Sequence, residues 1–320
     1  MEVTTRPMRV EAIRFEAEGV LSFELRLLQG ELVPVDAGAH VDLHLPGGHT
    51  RSYSLCNAPG ETHRYVVAVA RDAASRGGSA YLHEYVRPGQ VIDVSGPRNN
   101  FALDRCAAHS VLIAGGIGVT PMYAMAQGLA ATGRRWEIHY ATRTRRVAAF
   151  VPNLTALARQ GTVRLHFDDE NGGRPLDLKA IIAAAPAGSH FYCCGPGAMI
   201  DAFQGAAGGL PPGQVHVEYF KAPARAPQDN VPGRFEVMLA RSGRVLHVDE
   251  DRSILDTLLD AGVDIPFSCM EGICGSCEVA VIEGEPDHRD MLLSAADQKA
   301  GKKMMVCCSR AKSERLVLDV

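Results

Sequence analysis

The stretch that organises the whole chain is CMEGICGSC, residues Cys269–Cys277. Three cysteines stand at spacings of four and two intervening residues, and a fourth, Cys307, follows thirty positions later. Thiolates at such spacings are metal or iron–sulfur ligands. Gly272, Gly275 and Ser276 are small, so backbone N–H groups of this loop can approach the sulfur atoms of a bound centre. The stretch therefore predicts a metal or iron–sulfur centre near the C-terminus.

This spacing resembles that of plant-type [2Fe–2S] ferredoxins, and the similarity of MVCCSR, residues 305–310, to M-V-C-x-S-R implies Cys307 as the fourth ligand, with Cys308 as the alternative. A Cys₄ zinc site is the other reading, but such sites usually contain two C-x2-C pairs and this chain has one. The resemblance implies one [2Fe–2S] cluster held by four cysteines: Cys269, Cys274, Cys277 and Cys307. Because such a cluster carries one electron at a time, we expect its electron source elsewhere in the chain.

Composition restricts the class of protein. A length of 320 residues predicts two or three domains, and 46% hydrophobic with 22% charged residues is typical of a globular protein. The net charge of −4 argues against a nucleic-acid partner. We expect no membrane segment, since no apolar run approaches about 18 residues. Nine cysteines, four of them at ligand spacing, favour a reduced, cytoplasmic location over a disulfide framework.

The residues around the cysteine loop predict a small domain. Residues 235–240 and 245–248 form a hairpin pattern, and Ser253 begins a helix that carries its apolar residues on one face. A hairpin, a helix and then a cysteine loop is the β-grasp order of plant-type ferredoxins. Residues 223–233 contain three prolines and are predicted to be a linker.

The N-terminal third predicts an antiparallel β-barrel, because short alternating stretches between residues 8 and 100 are separated by Gly and Pro. On one strand, Arg51 and Tyr53 share a face, where a guanidinium suits a phosphate and a phenol can cover an aromatic ring. Gly77, Gly78 and Ser79 open a short helix, whose free N–H groups suit an anion. An ordinary strand and a plain Gly-Gly turn are the simpler readings of the two motifs.

From residue 110 the pattern changes to strands alternating with helices, which predicts a doubly wound parallel sheet. The first strand runs into a glycine turn at Gly116 and Gly118, after which Thr120 is predicted as N-cap with Pro121 at the first helical position. A second strand-to-helix turn, Cys194 to Pro196, repeats this geometry. Ligands of such sheets lie at the carboxyl ends of the strands.

Further candidates follow two other strands. Thr142 and Arg143 are candidates for contact with the adenosine or ribose phosphate of a dinucleotide, and Asp168 or Asp169 for its ribose or adenine. Surface residues at strand ends are the plain alternative. No cluster of Arg and Lys marks a 2′-phosphate, which favours NADH over NADPH.

Taken together, the motifs resemble the phthalate dioxygenase reductase family, a branch of the ferredoxin–NADP reductase superfamily, over essentially the whole chain. The resemblance implies a flavin barrel at 1–105, an NAD-binding α/β domain at 106–222, a linker at 223–233 and a [2Fe–2S] ferredoxin domain at 234–320. Implied FMN contacts are Arg51, Ser52, Tyr53, Ser54, Ala70, Arg76, Gly77, Gly78, Ser79, Thr120 and Phe220. Implied NAD contacts are Gly116, Gly118, Thr120, Pro121, Thr142, Arg143, Cys194, Gly195 and Pro196.

The resemblance also implies a function. Electrons would pass from NADH to FMN, which is favoured over FAD, then to the [2Fe–2S] cluster and on to the Rieske-type oxygenase component of an aromatic oxygenase or demethylase system. The chemistry would be carried by the cofactors, with no catalytic side chain, and the chain would be a monomer. Two alternatives remain open: a self-sufficient NADH-dependent flavin reductase of a small molecule or metal ion, and a zinc-bearing interaction protein.

Overall fold

A computed structural model describes residues 5–75, 77–223 and 233–320. The chain divides into two compact units, one ending at Phe220 and the other beginning at Lys221. Arg76 and residues 224–232, which include most of the predicted linker, lie outside the described residues.

The first unit begins with a six-stranded antiparallel sheet in the order β4-β3-β6-β1-β2-β5. The edge strands β4 and β5 meet at a bridge between Leu55 and Val67, so the sheet curls towards a barrel. Its interior is filled by side chains such as Phe23, Leu43 and Val67, all fully buried. The strands are β1 (Thr5–Ala17), β2 (Val20–Leu27), β3 (His40–Leu45), β4 (His49–Ser54), β5 (Tyr65–Ala70) and β6 (Val91–Arg98), and helix α1 (Gly78–Glu84) lies between β5 and β6.

The same unit continues with a five-stranded parallel sheet in the order β11-β10-β7-β8-β9. Its chain order reverses between β7 and β10, which is the switch point at which ligands of doubly wound sheets bind. The strands are β7 (Ser110–Gly115), β8 (Trp136–Thr142), β9 (Thr162–Phe167), β10 (His190–Cys194) and β11 (Val215–Glu218). The helices are α2 (Val119–Ala131), α3 (Val151–Leu157), α4 (Leu178–Ala184) and α5 (Gly197–Ala207).

The second unit contains a five-stranded mixed sheet in the order β13-β12-β18-β14-β16 and a two-stranded pair, β15 with β17. The predicted hairpin and helix are confirmed, and Ser253 caps the helix by accepting a hydrogen bond from the N–H of Asp256. The strands are β12 (Phe235–Leu239), β13 (Val245–Val248), β14 (Glu278–Glu283), β15 (Pro286–Asp287), β16 (Lys303–Met305), β17 (Arg310–Ala311) and β18 (Arg315–Leu318), and the helices are α6 (Ile254–Asp260) and α7 (Ala295–Ala300).

The predicted fold class is confirmed: an antiparallel barrel-like sheet, a parallel α/β sheet and a ferredoxin-type C-terminal unit. One local prediction is wrong. Thr120 is not an N-cap, because a turn of 3₁₀ helix at Gly116–Gly118 precedes α2, and Gly118 occupies the cap position. Thr120 is the second helical residue, and its Oγ1 donates to the carbonyl oxygen of Ile117 at 3.0 Å. Among the described helices, none is long and apolar enough to cross a membrane.

Candidate functional site

The cysteines predicted as ligands meet in the second unit. The thiol of Cys269 interacts with those of Cys274 and Cys307, and the thiol of Cys307 interacts in addition with that of Cys277. In the described ranges, no three His, Cys, Asp or Glu side chains surround a position suited to a single metal ion. The four thiols are linked in the order Cys274, Cys269, Cys307 and Cys277, and Cys274, Cys277 and Cys307 are buried.

Backbone N–H groups of the loop are directed at these sulfur atoms. Glu271 and Ile273 donate to Cys269 Sγ at 3.3 and 3.5 Å, and the N–H of Cys269 donates to Cys274 Sγ at 3.5 Å. The neighbouring thiols of Cys274 and Cys307, together with these amides, lower the pKa of Cys269 to about 2. Four converging sulfurs with N–H donors aimed at them fit the ligand set of a [2Fe–2S] cluster.

Cys308 stands apart from this set. Its Sγ is 3.8 Å from the carbonyl oxygen of Met305 and 3.9 Å from Ser309 Oγ. Its thiol interacts with that of Cys307, whereas Cys307 interacts with both Cys269 and Cys277. The geometry therefore favours Cys307 over Cys308 as the fourth ligand.

The two motifs predicted to bind a flavin come together in the barrel. A Cβ placed on Gly78 would lie 2.6 Å from Cγ and 3.1 Å from Nε of Arg51. A Cβ placed on Gly77, which has a φ of 99°, would lie 2.6 Å from Nε2 of His49. The side chains of β4 therefore run directly over the glycine turn that begins α1, and the absence of a side chain at Gly78 leaves room for Arg51. This cradle fits a phosphate-bearing ligand held by Arg51.

The remaining predicted flavin residues are distributed around this cradle. Tyr53 is half-buried two positions along β4, and burial raises the pKa of its phenol well above the ordinary value. Ser79 Oγ donates to Ser75 Oγ at 3.0 Å and accepts from the N–H of Asp72. Ser52 Oγ donates to Asp42 at 2.6 Å, and Ala70 ends β5.

Phe220, an implied flavin contact, lies beyond the last strand of the parallel sheet. β11 ends at Glu218, and Phe220 stands two residues beyond it with 39% of its surface exposed. Its ring therefore lies outside the sheet, beyond the carboxyl end of β11, where ligands of parallel sheets bind.

The two predicted nucleotide turns pack against each other at the switch point of the parallel sheet. A Cβ on Gly118 would lie 2.2 Å from the carbonyl oxygen of Cys194, and a Cβ on Gly195 would lie 3.0 Å from the Cα of Gly115. Glycine is therefore required at Gly118 and Gly195 by close backbone approach. Gly116 has a φ of 55°, in the left-handed region that favours glycine. Pro121 is buried in the first turn of α2.

Thr142 and Arg143 lie at the carboxyl end of β8, next to the first residues after β9. Thr142 is buried, and its Oγ1 donates to the carbonyl oxygen of Thr144 at 2.9 Å. Arg143 is exposed, and its carbonyl oxygen accepts from the N–H of Asp169 at 3.1 Å. The candidates for the adenosine end of a dinucleotide are thus neighbours at one edge of the sheet.

Sequence reasoning missed Glu218 as a site residue. Ser54 Oγ, at the end of β4, donates to Glu218 Oε2 at 3.3 Å, and Glu218 pairs in register with Cys194 across the parallel strands. Desolvation of the carboxyl group raises the pKa of Glu218 to about 8, and the hydrogen bond from Ser54 opposes this shift. The residue as a whole is only partly buried. The sequence did offer one indication of this role. Glu218 is the last residue of the strand VHVE, and ligands of parallel sheets bind at the carboxyl ends of the strands.

Two family profiles match the chain. The profile described as 2Fe-2S iron-sulfur cluster binding domain matches residues 237–312, and the profile described as oxidoreductase NAD-binding domain matches residues 112–205. The first spans all four cysteines predicted as ligands. The second spans the two packed glycine turns.

Relatives of known name align over nearly the full chain. Phenoxybenzoate dioxygenase subunit beta of Ectopseudomonas oleovorans is 51% identical over 314 residues, which is 98% of this chain and 97% of that protein. Tetrachlorobenzoquinone reductase of Sphingobium chlorophenolicum is 46% identical over 323 residues, covering 99% of each.

Two solved structures each match 99% of this chain. Phthalate dioxygenase reductase, described as a modular structure for electron transfer from pyridine nucleotides to [2Fe–2S], is 40% identical, with a TM-score of 0.73 over 99% of this chain and 98% of that one. An intact type IV self-sufficient cytochrome P450 monooxygenase is 38% identical with a TM-score of 0.89, and this chain spans 41% of its length.

Proposed function

This chain belongs to the phthalate dioxygenase reductase family, and from that premise we propose that it passes electrons from NADH through FMN and a [2Fe–2S] cluster to a Rieske-type oxygenase component. It is an oxidoreductase with an NAD-binding domain and a [2Fe–2S] domain. The observation that carries the proposal is the presence, in one chain, of the Arg51–Gly78 cradle, the packed nucleotide turns and the four converging cysteines.

When bound, the flavin supplies the step from a two-electron hydride to single electrons, and the cluster carries them one at a time. Arg51 would hold the phosphate end of the flavin, with the turn from Gly77 to Ser79 beside it. Tyr53, on the same face of β4, would cover the ring. The preference for FMN over FAD comes from family membership, since a guanidinium binds a terminal phosphate and a pyrophosphate equally well.

The nicotinamide end of NADH would lie against the packed turns Gly116–Gly118 and Cys194–Pro196, at the carboxyl ends of β7 and β10. The hydrogen bond from Ser54 to Glu218 joins the end of β4, the strand that carries Arg51 and Tyr53, to the end of β11. The hydroxyl and the carboxyl thus fix the ends of β4 and β11 against each other where flavin and nicotinamide would meet. Thr142 and Arg143 would contact the adenosine end.

Electrons would leave the second unit beside Cys269. Phe267 and Met270 flank this ligand, and 37% and 46% of their surfaces are exposed. Met270 has a φ of 57°, a conformation that few non-glycine residues adopt. An exposed apolar pair beside the cluster suits transient contact with a protein electron acceptor.

A second candidate function has its own support. The relative named tetrachlorobenzoquinone reductase is 46% identical over the full length, so a quinone is a candidate direct acceptor. A quinone could take electrons from the flavin without the cluster, whereas a Rieske centre would take them from the cluster.

The Cys274→Ser variant separates the two functions. The chain would be mixed with NADH and with either a purified Rieske-type oxygenase component or a benzoquinone. We expect reduction of the oxygenase to be lost with the cluster in this variant. Quinone reduction at the wild-type rate, together with a wild-type chain that reduces no Rieske component, would support the second function instead.

A further inference from the structure

The segment Pro286–Leu293 binds together the two parts of the second unit that carry the predicted ligands. Met291 N–H donates to the carbonyl oxygen of Gly272, in the loop of the first three cysteines, at 3.0 Å. Arg289 N–H donates to Ser309 Oγ at 3.1 Å, and Asp287 pairs with Arg310 between β15 and β17. This segment therefore holds the cysteine loop against the stretch that follows Cys307.

Asp290, in the middle of this segment, is 2% exposed. Its Oδ1 accepts from the N–H groups of Leu292 and Leu293 at 3.0 and 2.7 Å. Its Oδ2 is buried and makes no hydrogen bond to any described residue, and Nδ1 of His288, which forms an ion pair with it only when protonated, is 3.7 Å away. The neighbouring guanidinium of Arg289 is bonded to Asp287 instead. A buried carboxylate whose second oxygen accepts no hydrogen bond is costly, which calls for a reason.

The backbone of the cysteine loop lies directly on Asp290. A Cβ placed on Gly272, which has a φ of 71°, would lie 3.0 Å from the Cα of Asp290, 3.2 Å from its Cβ and 2.5 Å from Sγ of Cys308. No side chain can therefore stand between Asp290 and the loop at this point. Gly272 lies between two predicted ligands, Cys269 and Cys274.

We infer that Asp290 is a positioning residue for the [2Fe–2S] cluster and that its buried charge lowers the reduction potential of the cluster. Reduction adds negative charge to the cluster, and a fixed carboxylate in a poorly solvated place nearby opposes that addition. The two N–H groups bound by Oδ1 fix the carboxylate in place. The inference rests on the proposed ligand set, since it names a residue that acts on that site.

The test is a redox titration of the purified full-length protein, with the reduced cluster followed by electron paramagnetic resonance. Asp290→Asn removes the charge and keeps an oxygen that can accept from Leu292 and Leu293. We expect the one-electron equilibrium to shift about tenfold towards the reduced cluster, which corresponds to a rise of about 59 mV. Glu283→Gln is the matched control, because Glu283 is exposed at the far end of β14, about 20 Å along the strand from Cys277.

An unchanged potential in Asp290→Asn, with the cluster fully retained, would overturn the inference. Asp290→Asn could instead lose its iron while Glu283→Gln retains it. In that case the Asp290→Glu variant, which keeps a charged acceptor, should retain its iron. Loss of iron from Asp290→Glu as well would contradict positioning by the carboxylate. A wild-type protein without iron would refute the proposed function itself, which is a different outcome from an intact cluster with an unshifted potential.

Discussion

The side chain of Arg51 lies against the Cα of Gly78, so close that a Cβ there would be 2.6 Å from Cγ of Arg51. These residues stand on β4 and at the start of α1, and their contact assembles the cradle proposed for the flavin phosphate. Because the clashing atoms belong to a flexible side chain, a methyl group at Gly78 would displace Arg51 rather than the backbone.

Gly78→Ala is therefore expected to weaken flavin retention while the fold persists. We expect an affinity loss of about tenfold, or about 1.4 kcal/mol. The measurement is flavin content after dialysis, with released flavin identified by mass as FMN or FAD. Gly205→Ala is the control, because no heavy atom lies within 4 Å of a Cβ at that helical position. Equal flavin content in both variants would contradict the role of the cradle.

The identity of the fourth ligand is tested by two serine variants. Cys307→Ser should lose the cluster, because the thiol of Cys307 contacts those of both Cys269 and Cys277. Cys308→Ser should keep its iron and sulfide, since Sγ of Cys308 lies near Met305 and Ser309. Iron and acid-labile sulfide analysis decides the matter, and the reverse pattern would assign the ligand to Cys308.

The close approach of Gly118 to Cys194 predicts a defect in NADH binding. In Gly118→Ala the new methyl group would meet the backbone carbonyl of Cys194 at 2.2 Å, so the two turns must separate. We expect a destabilisation of about 1–3 kcal/mol and a raised KM for NADH with ferricyanide as acceptor. Gly205→Ala should leave the KM unchanged. A normal KM in Gly118→Ala would show that the packed turns do not bind the nucleotide.

Glu218 predicts a pH-dependent stability. Its pKa in the folded chain is raised from 4.5 to about 8, so between these values the folded state binds more protons than the unfolded state. The contribution of the protonated carboxyl is complete below about pH 4.5 and is lost as the pH rises towards 8. Across that window the free energy of unfolding of the wild type should fall relative to that of Glu218→Gln.

This effect is measured by urea unfolding followed by tryptophan fluorescence. Trp136 is the single tryptophan of the chain and lies buried in β8, so the signal reports on the unit that contains Glu218. Glu31→Gln, which changes an exposed carboxylate of the same unit, should follow the wild type at every pH. Parallel pH curves for the wild type and Glu218→Gln would contradict the raised pKa.

Much of the fold could be predicted from local patterns. The cysteine spacing, the strand-to-helix turns and the Ser253 cap are each encoded within a few residues. What could not be read locally depends on the register of distant segments. Glu218 meets Ser54 across 164 positions, and nothing near either residue encodes that contact.

Other misses have their own physical reasons. β18 (Arg315–Leu318) forms the centre of its sheet between β12 and β14, yet its short sequence gives little strand signal without those partners. Thr120 was misplaced as a cap because the 3₁₀ turn at Gly116–Gly118 delays the start of α2. Asp290 looks like a surface residue of a polar segment until the loop at Gly272 covers it.

The most direct test of the electron relay is an anaerobic titration of the purified protein with NADH, followed by visible absorption and electron paramagnetic resonance. We predict overlapping flavin and iron–sulfur absorption that bleaches as NADH is added, with the signal of a reduced [2Fe–2S] cluster appearing in step. A colourless protein that contains zinc and no iron, or a flavin that is reduced while the cluster stays oxidised, would contradict the relay.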